Sequence, residues 1–197
     1  MILSSDEIER LHGDQLQIEP FDRERLNPNS YNLSLHSELL VYEEVVLDAA
    51  APNRYRRIEI PASGLTLQPG HLYLGRTVEH TETSGLVPMI HGRSSLGRLG
   101  LFINPGGSLG QAGYSGTWTL EMHCVQPVRI YPGIQVCQIY YLRMAGECGE
   151  AQSGKYHNSF DIQPSLLYRE LGGAESEAQM ELNFDQVGEI VRGSEPK

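Results

Sequence analysis

No apolar stretch in this chain approaches the ~20 residues that a bilayer-spanning helix requires. The start, "MILSSDEIER", lacks a basic segment leading into an apolar one, which argues against a secretory leader. The expected location is therefore the cytoplasm. Basic residues are scarce: 15 Lys and Arg stand against 25 Asp and Glu, for a net charge of -10. That balance speaks against a sequence-independent nucleic-acid surface, which needs a basic face. Three cysteines, Cys124, Cys137 and Cys148, are too few and too irregularly spaced for a disulfide framework. They read as buried apolar thiols of a reducing compartment.

Several catalytic signatures are also missing. No G-x-x-x-x-G-K-S/T phosphate loop occurs, nor a G-x-S-x-G nucleophile elbow. The zinc nucleobase deaminase pattern, H-x-E followed by P-C-x-x-C, is absent, because "EMHC" has its glutamate and histidine in the wrong order. The seven histidines are scattered, with no pair at metal-ligand spacing on one element, so no protein-bound metal is expected.

What the chain does contain is many short alternating runs: "YNLSLHSELLVY", "RRIEI", "LYLGRTVEH", "TWTLEMHCV", "VRIY" and "QVCQIYYLRM". Turn signals such as "NPNS", "PASG", "QPGH", "NPGG" and "YPG" separate them, and 21 glycines and 11 prolines supply such turns. This pattern predicts an all-β sandwich or barrel. One helix is expected at the start, in "SSDEIERLHG", where Ser4 and Glu7 fit a capping box and Gly13 a stop. At 197 residues the chain suits one domain with a core. Composition shifts to Glu, Gly and Ser from "LGGAESEAQ" onward, so the expected division is a domain over residues 1–170 and an acidic extension over 171–197. In that extension "AQMELNFDQVGEIV" could form a short helix or a partner-docking tail.

Two stretches carry chemistry. "HGRSSLGRLGLFINPGG" gathers Arg93, Arg98, Ser94 and Ser95 among glycines Gly92, Gly97 and Gly100. Planar guanidinium donors, hydroxyls and approachable backbone suit an anion, although solvated arginines on an exposed turn would read the same way. In "TWTLEMHCV", read as a strand, Trp118, Leu120 and Met122 share one face. Thr117, Thr119, Glu121 and His123 share the other. A strand glutamate is usually a solvated outer residue. Glu121 stands out because its strand leaves the glycine-rich segment that follows the arginine–serine loop.

These stretches resemble the dCTP deaminases of the dUTPase-like superfamily. "GRSSLGRLGL" matches the family's G-R-S-S-L-(A/G)-R-L-G-L at every position, and Glu121 ends a T-L-E strand 28 residues after Arg93, as the family's catalytic glutamate does. "NPNSYNLSL", "PGIQVCQI" and "SGKYHNS" agree with further family segments, so the resemblance covers residues 1 to about 168. It implies a dUTPase-like distorted β-barrel or jelly-roll with few small helices, and a homotrimer with active sites between subunits. It also implies zinc-independent deamination of dCTP to dUTP and ammonia, with Mg²⁺ accompanying the triphosphate. Carried over by position, Glu121 is general base and proton shuttle, and Ser94 and Arg98 orient water and glutamate. Arg93, Ser95, the loop at Leu96 and Gly97, and Lys155 contact nucleotide and phosphates. Backbone at Thr119 and Leu120 and the Gln138 side chain lie near the nucleotide. Gln111 stands where the family usually has an aspartate for the deoxyribose 3′-hydroxyl.

Departures accompany the match. Besides Gln111, Cys148 replaces a tyrosine, Ser159 a glutamine and Asn32 an aspartate of the family pattern. They fall on sugar and phosphate contacts and leave Ser94, Arg98 and Glu121 in place. Three functions remain open: a dCTP deaminase, a dUTP diphosphatase or bifunctional enzyme forming dUMP, and a non-catalytic nucleotide-binding regulator. Trimeric dUTPases activate water with an aspartate in the segment of Gln111, and an amide is no base at neutral pH.

Overall fold

A computed structural model describes residues 1–105, 108–146 and 159–172. The N-terminal helix α1 (Ser5–Leu11) begins where the capping signal puts it: Ser4 Oγ accepts from the Glu7 amide at 3.3 Å. The reciprocal half of the box does not form. Glu7 turns its carboxylate to Arg10 and Arg143, whose guanidinium groups hold its pKa down at about 2. Ile8 and Leu11, one turn apart, bury against the core, and Gly13 at φ +85° turns the chain away.

The remainder is mainly β. The strands are β1 (Leu16–Glu19), β2 (Leu26–Asn27), β3 (Ser30–Ser34), β4 (Glu38–Tyr42), β5 (Tyr55–Glu59), β6 (Leu65–Leu67) and β7 (Tyr73–Arg76). They continue as β8 (His80–Thr83), β9 (Leu86–Gly92), β10 (Leu101–Pro105), β11 (Ser115–Gly116), β12 (Thr119–Cys124), β13 (Val128–Ile130) and β14 (Gln135–Arg143). A short helix α2 (Ser94–Gly97) separates β9 from β10, and α3 (Leu167–Glu170) follows the strands.

Among the described residues these strands form four antiparallel sheets, ordered β10-β12-β7-β4-β5, β2-β3-β14-β9, β1-β8-β11 and β13-β6. This is the all-β architecture that the alternating runs predict, assembled from separate sheets, and it accords with the dUTPase-like fold that the resemblance implies. Two compact units are distinguished: residues 1–45 with 54–164, and residues 46–53 with 165–197. The first holds every strand. In the second, Asn53 Oδ1 accepts from the Asp48 amide at 2.8 Å and closes the 48–53 turn. Residues 173–197, including the stretch read as a helix or docking tail, lie outside the described residues. No helix of the described residues is long and apolar enough to cross a membrane.

The five-stranded sheet has two apolar clusters, one on each face. Leu39 and Val41 of β4, Tyr73 of β7, Leu101 and Ile103 of β10, and Leu120 and Met122 of β12 point into the main core. There they meet Leu33, Ile90 and Ile139 from the four-stranded sheet. Full burial of one such aliphatic side chain contributes about 1.5–3 kcal/mol. On the other face Leu40 and Leu74 form a small second cluster with Ile162. The alternation along each strand sorts the residues between the two, as period two requires.

One buried charge anchors the strand ends. Glu79 is 0 % exposed and ion-paired with Arg25, and it accepts from the Ser34 amide at 2.8 Å. Next to it, Thr77 Oγ1 donates to the Glu79 carbonyl at 2.9 Å and accepts from the Trp118 amide at 3.0 Å. Trp118 Nε1 donates to Thr81 at 2.8 Å. This polar knot fixes the entry to β12. Cys124 and Cys137 are free and buried, while Cys148 lies outside the described residues.

Candidate active site

β12 delivers Glu121. The strand begins at Thr119 rather than two residues earlier: Trp118 is held in the buried knot, and the Thr117 amide is bonded to the Ser159 carbonyl. From there the faces separate as the sequence predicts. Leu120, Met122 and Cys124 are buried, Thr119 and Glu121 are half-buried, and His123 is exposed. Glu121 pairs with Asn104 of β10 on one side and with Leu74 of β7 on the other. Its carboxylate has no hydrogen-bond or ion-pair partner among the described residues, and burial pushes its pKa above the ordinary 4.5. A carboxyl that is desolvated and unpaired holds a proton more firmly than a solvated one and is suited to taking it up and handing it on.

The arginine–serine loop is shaped by its glycines. A Cβ at Gly92 would stand 2.9 Å from the Ile103 carbonyl oxygen, so only glycine lets the end of β9 pass this close to β10. Gly100, at φ +79°, turns the chain into β10, and its carbonyl accepts from the Val125 amide at 3.0 Å. The loop is thereby tied to the Cys124 end of β12. Ser94, Ser95 and Arg98 are exposed, with side chains that bond no described residue. Arg93 is half-buried and committed in part: its guanidinium donates to the Gln135 carbonyl at 3.2 Å. Leu96 packs partly against the core and Gly97 is half-buried.

Within one chain, the structure does not bring Ser94 and Arg98 into hydrogen-bonding contact with Glu121. Leu101, where β10 leaves the loop, pairs with Cys124, three residues from Glu121 along β12. At the usual rise of a strand that is roughly 10 Å. Thr119 is bound beside Glu121, its Oγ1 accepting from the Gln163 amide at 3.0 Å. The Leu120 side chain is in the core, which leaves only its backbone for a ligand. Gln138 lies elsewhere, in the four-stranded sheet opposite Asn32 and His91, and accepts from Ser30 Oγ at 3.0 Å. Gln111 is exposed in a turn where the Tyr114 amide donates to its carbonyl at 3.0 Å. Lys155 lies outside the described residues. Among the described residues no group of three or more His, Cys, Asp or Glu is placed to hold a metal ion.

Three features around Glu121 escaped the sequence reading. Arg76 pairs with Thr119 across the sheet, on the face of Glu121, and its Nε is buried with no partner among the described residues. The alternation in "LYLGRT" carries that placement. Tyr114 stacks on Trp118 with ring centroids 4.2 Å apart, a contact four residues long with no periodic signal. The segment from Ser159 to Gln163 lies over the start of β12: the Thr117 amide donates to the Ser159 carbonyl at 2.8 Å, and Ile162 joins Leu40 and Leu74.

The fold is a mainly antiparallel β arrangement with a carboxyl unpaired among the described residues on a sheet face, and an arginine–serine loop tied to the far end of the same strand. The profile of the dCTP deaminase-like family matches residues 2–144, and this chain belongs to that family. It is 69% identical over 187 residues to the "dCTP deaminase" of Rhodopirellula baltica, covering 95% of this chain and 94% of that protein. It is 57% identical over 170 residues to the "dCTP deaminase, dUMP-forming" of Hathewaya histolytica, covering 86% of this chain and 99% of that protein. Among solved structures, a 2'-deoxycytidine 5'-triphosphate deaminase from Agrobacterium tumefaciens superposes with a TM-score of 0.58 at 23% identity. The match covers 71% of this chain and 47% of that one, and it supports the fold alone.

Proposed function

We propose that this chain hydrolyses dCTP at cytosine C4, releasing ammonia and forming dUTP. The observation that carries the reading is Glu121, half-buried, unpaired among the described residues and raised in proton affinity by burial. It stands 28 residues after Arg93 in a family member. In the proposed reaction the Glu121 carboxylate takes a proton from water and the oxygen attacks C4. The same carboxyl then passes the proton to the leaving amine, so ammonia departs and the base becomes uracil. Water is consumed, and no redox partner is needed. Ser94 and Arg98 orient the water and the carboxyl. Arg93, Ser95, the backbone at Leu96 and Gly97, and Lys155 bind the nucleotide, with Gln111 toward the sugar and Gln138 and the Thr119–Leu120 backbone nearby. Mg²⁺ would arrive on the triphosphate oxygens and share their charge.

The separation of Ser94 and Arg98 from Glu121 within one chain supports a site in which one subunit's loop completes its neighbour's, in the homotrimer that the resemblance implies. Mixing inactive Glu121→Gln and Arg98→Ala proteins tests this, since mixed assemblies regain some intact sites if the site is shared. No recovery after subunit exchange, or an active monomer by light scattering, contradicts the shared site. Cytoplasmic residence accords with this substrate.

A second reading is favoured by the relatives named as dUMP-forming: hydrolysis continues with loss of pyrophosphate, giving dUMP. Incubation with dCTP, with ammonia, pyrophosphate and nucleotide products resolved separately, distinguishes the two. Ammonia with dUTP supports the first reading, and ammonia with equimolar pyrophosphate and dUMP the second. Pyrophosphate from dUTP without ammonia from dCTP rejects deamination.

A further inference from the structure

The face of the five-stranded sheet that carries Glu121 is not open along its length. Its row of neighbours, read from pairing, runs Asn104, Glu121, Leu74, Leu40 and Arg57 across β10, β12, β7, β4 and β5. Onto this row lies the segment Ser159–Gln163. Ile162 is 2 % exposed and packs on Leu40 and Leu74, which are 1 % and 5 % exposed. Its anchors surround that contact. Asp161 is ion-paired with Arg57 and accepts from the Ile162 amide at 2.7 Å. The Gln163 amide donates to Thr119 Oγ1 at 3.0 Å, and Ser159 Oγ donates to the Asp161 carbonyl at 2.9 Å. Phe160 stacks on His80 with centroids 5.1 Å apart.

Two of the nearest same-face neighbours of Glu121 are Leu74, across the strand pair, and Thr119, two residues along. Ile162 covers the first and Gln163 binds the second. We propose that the Ser159–Gln163 segment, through Ile162, is a positioning element for Glu121: by shutting water from the Leu74 and Thr119 side of the carboxyl, it governs how firmly that carboxyl holds its proton. The segment touches neither reacting atom. It acts through the dielectric around one, and this deepens the deaminase reading, on which it rests.

The charges facing Glu121 do not give the same result. Arg76 on β7 favours the ionised carboxylate, as would His123 on the same strand if protonated. β10 brings Phe102 and Asn104 and no charge. Asp161 on the segment opposes ionisation, but Arg57 neutralises it; beyond Leu40 the same face carries Arg57, Glu38 and Glu59, and His36 lies near Arg76, Glu38 and Asp161. The charge that β7 brings to this face, Arg76 opposite Thr119, is a cation, and burial alone accounts for the upward direction at Glu121.

The experiment reads the carboxyl directly, in the full-length protein without substrate. Glutamate ¹³C-carboxyl titration by NMR, with the Glu121 signal assigned by its loss in Glu121→Gln, is followed in the native protein, Ile162→Ala, Ile162→Val and Arg57→Gln. The native Glu121 midpoint lies above 4.5 and falls toward it in Ile162→Ala, while Ile162→Val stays near native. Arg57→Gln separates cover from charge. Removing a cation can only raise a nearby carboxyl, whereas loosening the segment lowers it. A lowered midpoint there supports the proposal. An unchanged Glu121 midpoint in a folded Ile162→Ala protein, or a raised one in Arg57→Gln, overturns it. Because the readout needs no turnover, its failure is distinct from a failure to deaminate dCTP. In turnover the acid limb of kcat/KM moves with the midpoint, and a merely structural loss would lower activity without moving that limb.

Discussion

Two glutamates in this molecule show what surroundings do to one functional group. Glu79 is wholly buried, yet its charge is met by Arg25 and the Ser34 amide, and the Thr77 bridge continues from it to Trp118. Glu121, on the adjoining strand system, is only half-buried and has no partner among the described residues. The first carboxylate has each oxygen met by a donor, Arg25 on one and the Ser34 amide on the other. The second has lost water without gaining a donor, and that raises its affinity for a proton. Saturation builds a scaffold, and incomplete saturation leaves a group able to react.

The largest effect tests the scaffold side. Glu79→Ala removes one partner of a buried pair and leaves the Ser34 amide without its acceptor, while Arg25 keeps Ser34 Oγ and Asp22. Such losses cost about 3–5 kcal/mol. The low end applies here, because the Arg25 side chain is 25% exposed and can turn to water. Equilibrium denaturation should show a loss of about 3 kcal/mol, with Glu79→Gln milder because it keeps one acceptor. A loss under about 1 kcal/mol in Glu79→Ala would make Glu79 no anchor.

Glu121→Gln tests the other side and should separate activity from stability. Loss of general acid–base catalysis lowers turnover by at least about 10²-fold. The fold should not suffer. Because burial raises the native pKa of Glu121 above its unfolded value, ionising it works against folding. Its contribution is fully present below the unfolded value and is lost as pH rises through the raised native one. The glutamine variant does not pay this cost, so its melting temperature relative to native should rise between acid and neutral pH. A gap that stays flat across that range would mean Glu121 titrates alike in both states. Near-native turnover would remove it from the chemistry.

Legibility in the sequence follows the same divide. Alternation in "TLEMHC" shows which residues leave the core, because side chains in a strand repeat every two residues. The arginine–serine loop, the helix start at Ser4 and the many-stranded fold are local in the same sense. The Arg25–Glu79 pair spans 54 residues and the Arg57–Asp161 pair spans 104. Neither leaves a period, spacing or composition that one sequence can display. The packing of Ile162 on Leu40 and Leu74 is illegible for this reason, and so is the bond from Ser30 to Gln138, since pairing of β14 with β3 decides it. The capping box at Ser4 was half right. Its Glu7 had two arginines to choose, one of them Arg143 at the far end of β14.

A smaller change probes the knot that joins the two regions. Trp118→Phe keeps the ring that stacks on Tyr114 but deletes the Nε1 donor, leaving Thr81 Oγ1 buried without that bond. A neutral hydrogen bond of this kind contributes about 0.5–1.5 kcal/mol. Denaturation should show a loss in that range, with KM for dCTP changed little. If the variant instead loses turnover with full stability, Trp118 serves the site and not the scaffold.

The last effect concerns Gln111, the residue proposed to face the sugar. Its side chain is exposed and bonds no described residue, while its carbonyl holds the turn through the Tyr114 amide. A substitution that keeps the backbone therefore leaves the turn intact. An aspartate in this place would accept a bond from a sugar hydroxyl with full charge, and glutamine accepts as a neutral partner. Bonds to charged groups contribute about 1.5–3 kcal/mol, and neutral ones about 0.5–1.5. The difference is about 1.4 kcal/mol, which corresponds to roughly tenfold in affinity. Gln111→Asp should thus tighten dCTP binding by up to about tenfold, measured by calorimetry on Glu121→Gln protein so that substrate persists. The added carboxylate also supplies a base where the amide had none, so pyrophosphate release from dUTP is measured alongside. Tighter binding places Gln111 at the sugar. Weaker dCTP binding with no gain for dUTP means the turn has been shaped for another ligand, and the sugar contact has to be sought at another residue.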